Sequence, residues 1–574
     1  MKENDFNIRI AGEAGYGIAS AGLALAKIAL RSGYFVFDYS EYPSLIRGGH
    51  NIYTLRISGE QIYSPSLPVD FLIALNQDAV DFNKDQLSPQ SFILLNSDKA
   101  SDSGLSSGIR ALPIPLVKIA LDNKGSEVMM NNVALGAITF LLKAEFSVLE
   151  SGIREAFSWA TSEIIDLNIK VAQKGFDYAK DNFAAEEIKF DLKKIKAKPR
   201  LLLTGNDAFG LGAIKAGCKF FAAYPMTPIN SLIVYFAAKA KELNLVYFQP
   251  EDEIAAINSA LGAAVCGVRS MTASSGGGFS LMVEALGMAG MTETPLVIIE
   301  GQRPGPSSGM PTWTGQGDLR FVLHASQDDF PRIVLAPGDV EECFWLMIDA
   351  FNLAEKYQLP VIVLTDKYLA ESRQSINLID DSKVEIERGK IVSLKDSLQD
   401  YHRYEFAQDG VSPRAFIGQT KEPFFTTSYE HNEAGFAAED IETRKAMMEK
   451  RMKKLETLEK EMSQPIIYGS KDAEFGFISW GSNKGIILEA QKILASQRIK
   501  TSFLHLNFLN PFPAEAVAEF CQDKQVLLLE QNISGQLAGL IREKTGLKIK
   551  DQFLKYDGRP FYPEEIADKV KQIL

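Results

Sequence analysis

Strand-like apolar runs alternate with helix-like stretches in three separate parts of this chain, and that alternation restricts the fold more than any other feature. The first series has runs at Ile8–Ile10, Tyr34–Tyr39, Asn51–Ile57, Asp70–Leu75 and Ser91–Asn96. A second has Lys219–Tyr224, Leu245–Phe248, Val268–Ser274, Pro295–Gly301, Arg332–Ala336 and Pro360–Asp366. The third has Phe475–Gly481, Lys500–Leu506 and Gln525–Glu530. Strands joined through helices pair in parallel, because the crossover helix returns the chain to the same end of the sheet. The expected fold class is therefore α/β, with three mainly parallel βα units. A chain of 574 residues exceeds one compact core. The expected division is residues 1–185, a Lys-rich linker at 186–200, a unit at 201–372, and a connecting region with a third unit at 373–574. Within the connecting region, Ile441, Met448, Leu455 and Met462 recur every seven residues, with Met452 and Leu458 beside them. That spacing predicts one amphipathic helix packed on its own protein.

A net charge of −12 argues against a nucleic-acid surface. The longest apolar runs are strand-sized, so no membrane-spanning helix is expected, and the first ten residues lack the apolar core of a signal peptide. The four cysteines lie dozens of residues apart and form no C-x-x-C pair, which argues against a zinc or iron–sulfur site within the chain. A reduced, cytoplasmic protein is expected.

Candidate chemistry concentrates between Tyr224 and Arg303. The Tyr224-Pro225-Met226-Thr227-Pro228 turn, the helix start at Gln249–Ile257 and the strand running into Arg303 present a hydroxyl, a carboxylate and a guanidinium. Each stands where a strand meets a loop or helix, and open α/β sheets bind ligands outside the carboxyl ends of their strands. Thr227, Glu253 and Arg303 are thus expected to converge on one anionic small molecule. Each also has a plainer reading. Proline and acids in a first helical turn satisfy helix-start preferences with no function required. An arginine at a strand end often makes a structural ion pair, although a guanidinium is also the preferred grip for a carboxylate. The loop Gly301–Asp318 is long enough to expect a functional role.

Two further motifs are weighed similarly. Gly12–Gly17 (GEAGYG) has the glycine content of a phosphate loop without its spacing, and Arg47-Gly48-Gly49-His50 offers a cation and backbone N–H groups to an anion. Turn chemistry explains both equally well. Gly305–Gly309 satisfies G-x-S-x-G, but the serine of a hydrolase elbow stands directly between strand and helix. Ser307 is preceded by two prolines and followed by loop sequence, so the match is read as accidental.

Assembled in order, these motifs make the chain resemble the alpha subunit of 2-oxoacid:ferredoxin oxidoreductases, in its 2-oxoglutarate type with a gamma-type domain fused at the front. The likeness rests on GEAGYGIASAG, IRGGHNIYTLRIS, YPMTP, EDEIAAIN, SSGGGFSLMVEALGMAGMTETP, QRPGPSSGMPTWTGQGDL, RYEFAQDGVSPRA, EQNISGQLAGL and KYDGRPF, and it runs nearly the whole length. It implies a gamma-type domain, a thiamine-enzyme pyrimidine-binding domain and a transketolase C-terminal-like domain. The implied reaction is oxidative decarboxylation of a small 2-oxoacid to acyl-CoA and CO2, with electrons passed to ferredoxin and the cofactors thiamine diphosphate and coenzyme A. Glu253 would pair with the pyrimidine ring, Arg303 would grip the substrate carboxylate, and Thr227 would lie beside both. Tyr224, Pro225, Ser275, Gly276 and Gly278 would line the cofactor, and Arg47 and Gly48 would contact coenzyme A.

No GDG motif with a later Asn occurs, so magnesium, the pyrophosphate site and the iron–sulfur cluster are expected in a separate beta subunit of a hetero-oligomer. Three departures stand out: YPMTPIN for YP-I-TP-SS, SSGGG for TSGPG, and Trp313 where relatives often carry Lys or Arg. Loss of that cation weakens the case for a dicarboxylate and suits a more apolar oxoacid; 2-oxoglutarate still leads, with pyruvate or a branched-chain 2-oxoacid next. A non-catalytic subunit and a serine hydrolase are the alternatives of other classes.

Overall fold

A computed structural model describes residues 5–45, 48–184, 186, 188, 190–393, 401–420 and 423–574. The chain is α/β with three sheets, and it divides into two compact units. The first unit runs up to Leu203 and also takes in Glu371–Ile379 and Tyr562–Asp568. Its eight-stranded sheet runs in the order Arg110–Ile114, Leu87–Asn96, Val69–Ala74, Asp5–Glu13, His50–Ser58, Phe35–Glu41, Arg373–Asn377 and Arg200–Thr204. Asp5–Glu13 pairs antiparallel with His50–Ser58 and parallel with Val69–Ala74, so this sheet is mixed. Its helices cross closely through facing glycines. A Cβ on Gly136 of the helix Met130–Leu141 would collide with Ala172 O, and one on Gly175 of Ser162–Phe183 would collide with Val133 O.

The second unit holds the other two sheets. The seven-stranded sheet has the order Phe508–Asn510, Ile333–Leu335, Pro360–Asp366, Leu296–Gln302, Ser270–Ser274, Phe220–Ala222 and Val246–Phe248. Every pairing in it is parallel except that of the edge strand Phe508–Asn510, which the third series contributes. The five-stranded sheet has the order Ile466–Gly469, Thr501–Leu506, Phe475–Trp480, Gln525–Glu530 and Asp551–Leu554, parallel apart from its first strand. One apolar core joins the two sheets, with Phe279, Ile298, Trp480 and Leu528 all buried in it.

The predicted amphipathic helix spans Ile441–Glu461, but its most buried face is rotated from the heptad stripe: Leu458 is buried as expected, while Met448 and Leu455 are only half-buried. Ile441 is 75% exposed, whereas Met447, Lys450, Arg451, Lys454 and Leu458 are buried. The reason is electrostatic. Glu293, itself fully buried, holds Lys450 and Lys454 at 2.6 Å each, and Arg451 pairs with Glu430 at 2.7 Å. A paired charge can be buried where an unpaired one is too costly, and the apolar spacing carries no record of that pairing.

Candidate active site

Because Val246–Phe248, Phe220–Ala222, Ser270–Ser274 and Leu296–Gln302 are adjacent and parallel, their carboxyl ends open on one edge of the sheet. The Tyr224–Pro228 turn follows the strand Phe220–Ala222 and is anchored by buried Asn206, whose Nδ2 donates to Pro228 O at 2.8 Å and to Ser231 Oγ at 2.7 Å. Across the sheet, Arg303 Nη1 donates to Thr227 O at 2.9 Å. The guanidinium is thereby fixed beside the threonine. A Cβ on Gly301 would lie 2.8 Å from Ile229 Cδ1, so the strand end and the turn meet closely only because that residue is glycine.

Glu253 is the first residue of the helix Glu253–Val265, capped by Asp252, whose Oδ1 accepts from Ala255 N–H at 2.8 Å. The Glu253 side chain turns inward rather than to solvent and is 3% exposed, and its Oε1 has no hydrogen-bond partner. Opposite it stands the turn Ser274–Gly278, at the start of the helix Gly276–Met291. A Cβ on Gly278 would collide with Ser274 Oγ and lie 2.5 Å from Glu253 Oε1. Ser275 Oγ is likewise buried without a partner. Met226 ties the two turns together, with its Sδ 3.8 Å from Ser274 Oγ. Tyr224 and Pro225 are exposed at the rim of this cluster.

Two acids that the sequence reading passed over complete the site. Glu300 lies in the strand Leu296–Gln302, fully buried, with no donor on either carboxyl oxygen. Burial, then the negative charge of Asp318, raises its pKa well above the ordinary carboxylate range. Asp318 is also raised, chiefly by burial. Its Oδ2 would lie 2.5 Å from a Cβ on Gly276, and its backbone N–H donates to Gln302 Oε1 at 3.0 Å. The sequence carried one clue, an acid inside the apolar run Pro295–Gly301.

The long loop after Arg303 folds back on itself, with Met310 N–H donating to Pro304 O at 2.9 Å. It is then pinned by segments from the third series. Gln316 N–H donates to Gln531 O at 2.8 Å and Thr314 N–H to Gly558 O at 3.1 Å. Ser307 has a left-handed φ of 56° but sits exposed in this loop, away from any strand-to-helix turn. Gly48, in the other unit, has a left-handed φ of 77° in the turn before His50. Arg47 lies outside the described residues. Among the described residues no group of three or more His, Cys, Asp or Glu is placed to hold a metal ion, and no helix is long and apolar enough to cross a membrane.

A buried, unpartnered carboxyl group at a helix start, facing a glycine turn at the carboxyl edge of a parallel sheet, is a cradle for a small molecule. Comparison with known proteins points to one family. Residues 211–450 match the family model "Pyruvate flavodoxin/ferredoxin oxidoreductase, thiamine diP-bdg", and residues 7–178 match "Pyruvate ferredoxin/flavodoxin oxidoreductase". The alpha subunit of 2-oxoacid:ferredoxin oxidoreductase 2 from Aeropyrum pernix is 33% identical over 99% of this chain and 98% of its own length. The 2-oxoglutarate synthase subunit KorA of Methanothermobacter thermautotrophicus is 34% identical over 64% of this chain and 97% of its own. A solved structure of the 2-oxoglutarate:ferredoxin oxidoreductase from Magnetococcus marinus, with 2-oxoglutarate, coenzyme A and succinyl-CoA bound, covers all of both chains at TM-score 0.92 and 34% identity. The chain belongs to the 2-oxoacid:ferredoxin oxidoreductase alpha subunits, a thiamine diphosphate-binding family.

Proposed function

We propose that this chain is the alpha/gamma-fusion subunit of a cytoplasmic enzyme that oxidatively decarboxylates 2-oxoglutarate to its acyl-CoA and CO2, with the electron pair passed to ferredoxin. The observation that carries the reading is the unpartnered, buried Oε1 of Glu253 beside Gly278, in the same site as Arg303. An acceptor left empty in a dry pocket is costly unless a ligand completes it. The pyrimidine ring of thiamine diphosphate has the nitrogen that would do so. When bound, that cofactor supplies the nucleophilic carbon that adds to the 2-oxo group.

The residues of this chain have distinct tasks in this reading. Glu253 holds a proton against the pyrimidine nitrogen, and Gly278 gives the ring room to approach. The guanidinium of Arg303, kept in place by Thr227 O, grips the carboxylate next to the keto carbon through paired hydrogen bonds. The Thr227 hydroxyl completes that contact. Coenzyme A is assigned to the first unit, with Arg47 and Gly48 as its candidate contacts.

A beta subunit is proposed to supply magnesium, the pyrophosphate site and the iron–sulfur cluster. Apolar side chains exposed on the site's own elements support such a partner. Phe248 is 43%, Ile254 47% and Leu281 50% exposed, and Tyr224 joins them at the rim. Such a patch marks an interaction face. The names of the Magnetococcus and Methanothermobacter proteins support 2-oxoglutarate as substrate.

The test is coenzyme A-dependent reduction of a low-potential acceptor by this chain co-expressed with its candidate beta subunit. 2-Oxoglutarate, pyruvate and a branched-chain 2-oxoacid are compared side by side. Preferential turnover of 2-oxoglutarate is expected. Preference for one of the others replaces the substrate, and no turnover by a fully loaded complex overturns the reading.

A further inference from the structure

The loop that carries Arg303 also carries Trp313, an aromatic residue at a position where a cation would suit a substrate with a second carboxylate. In the fold a cation is present after all, delivered from the other end of the chain. The guanidinium carbon of Arg559 lies 3.4 Å from the centre of the Trp313 ring. Three backbone-level features hold the two together. Thr314 N–H donates to Gly558 O at 3.1 Å, Trp313 N–H donates to Met310 O at 3.1 Å, and Met310 N–H returns to Pro304 O, the carbonyl next after Arg303. A Cβ on Gly558 would stand 3.2 Å from Trp313 Cβ and 3.1 Å from Met310 Cε, so glycine is what lets this segment lie flat on the loop.

Arg559 is also uncommitted. Its backbone N–H is taken by Asp557 Oδ1 at 2.8 Å, and Nη1 donates to Asp557 O at 3.2 Å, but its guanidinium makes no ion pair among the described residues. Arg320, which follows the loop, is already paired with Glu543 at 2.7 Å. A guanidinium stacked on an indole keeps its plane fixed, and with Nη1 turned to Asp557 O the remaining N–H groups lie in that plane, where a carboxylate is received.

We propose that Arg559, oriented by stacking on Trp313, is the residue that reads the distal carboxylate of a dicarboxylic 2-oxoacid, while Arg303 holds the carboxylate beside the keto group. This rests on the proposed reaction and deepens it by assigning the substrate class to two guanidiniums, one at the start of the loop and one laid on it by the C-terminal segment. The aromatic residue at 313 supplies the platform and the C-terminal segment supplies the charge.

The experiment uses the assembled, cofactor-loaded enzyme and compares kcat/KM for 2-oxoglutarate with that for 2-oxobutyrate, which lacks the second carboxylate. In Arg559→Met the ratio of the two falls by about 10- to 100-fold, the scale of one charge-assisted contact, and the change sits in KM rather than kcat. Inhibition by glutarate, a dicarboxylate without the reacting keto group, weakens in parallel. Arg559→Lys, which keeps the charge but not the fork, falls between wild type and Arg559→Met, and it serves as the folded control if the methionine variant melts early. A parallel loss for both oxoacids, with the ratio and glutarate inhibition unchanged, makes Arg559 a loop anchor only and overturns the proposal. So does a wild-type preference for 2-oxobutyrate, which leaves the reaction itself standing. Failure of wild type to turn over any 2-oxoacid instead overturns the functional reading beneath it.

Discussion

Gly277 and Gly278 are neighbours in the first turn of one helix, yet a methyl group placed on each meets opposite surroundings. At Gly277 the nearest atom is Met226 Sδ at 3.9 Å, an ordinary contact. At Gly278 the methyl would collide with Ser274 Oγ and lie 2.5 Å from Glu253 Oε1 and 2.8 Å from its Cδ. Helix propensity favours alanine over glycine by about 1 kcal/mol at either position. Overpacking at Gly278 opposes that gain with about 1–3 kcal/mol, because buried Ser274 and Glu253 have little room to retreat. Gly278→Ala should therefore come out level with wild type or about 2 kcal/mol less stable, and Gly277→Ala about 1 kcal/mol more stable. The assay is the denaturation midpoint of the two variants under one protocol, since a chain of two compact units need not unfold in a single step. Turnover gives a sharper reading. A shift of Glu253 by about 1 Å is enough to cost on the order of 100-fold in rate. If Gly278→Ala melts no lower than Gly277→Ala and the assembled enzyme keeps its rate, the close approach of this turn to Glu253 is wrong.

Three other outcomes follow from the site and core. Glu253→Gln preserves the side-chain volume and removes the acid. It should lower turnover of the assembled enzyme by about 100- to 10,000-fold with little change in melting, and near-normal turnover would mean a non-catalytic subunit. Glu300→Gln copies the neutral form and should leave KM for the oxoacid within about threefold of wild type; a tenfold rise in initial-rate measurements would show that its negative charge is used. Burial pushes the Glu530 carboxyl up from 4.5 to about 7, although Leu537 N–H donates to both of its oxygens. A carboxyl raised on folding stabilises the protein fully below pH 4.5, and that contribution drains away as pH rises through about 7. Wild type should lose about 3 kcal/mol relative to Glu530→Gln across that window, read from urea midpoints at several pH values. Parallel pH profiles for the two would refute the shift.

Much of this protein was legible before any coordinates. The period-two and helical patterns describe local backbone, which residues near in sequence decide for themselves, so the α/β class and most strands could be read directly. Glu253, Thr227 and Arg303 were legible for a related reason. Each stands at a strand-to-loop or strand-to-helix junction, and a parallel sheet gathers such junctions at one edge.

What needed the tertiary structure was every feature that depends on a distant partner. The strand Arg373–Asn377 completes the first sheet by pairing with Phe35–Glu41, a pairing that hydrophobic alternation does not encode. The buried face of Ile441–Glu461 is set by Glu293, more than 150 residues earlier, because a lysine enters a core only when its counter-charge is already there. The charge of Asp318 bears on Glu300 because the long loop brings that acid back beside the strand. Arg559 reaches Trp313 because the C-terminal segment lies on that loop. Residue type and spacing set what each segment can do alone, while the burial and pairing of charge belong to the assembled molecule, where the partner and the absence of water decide the energy.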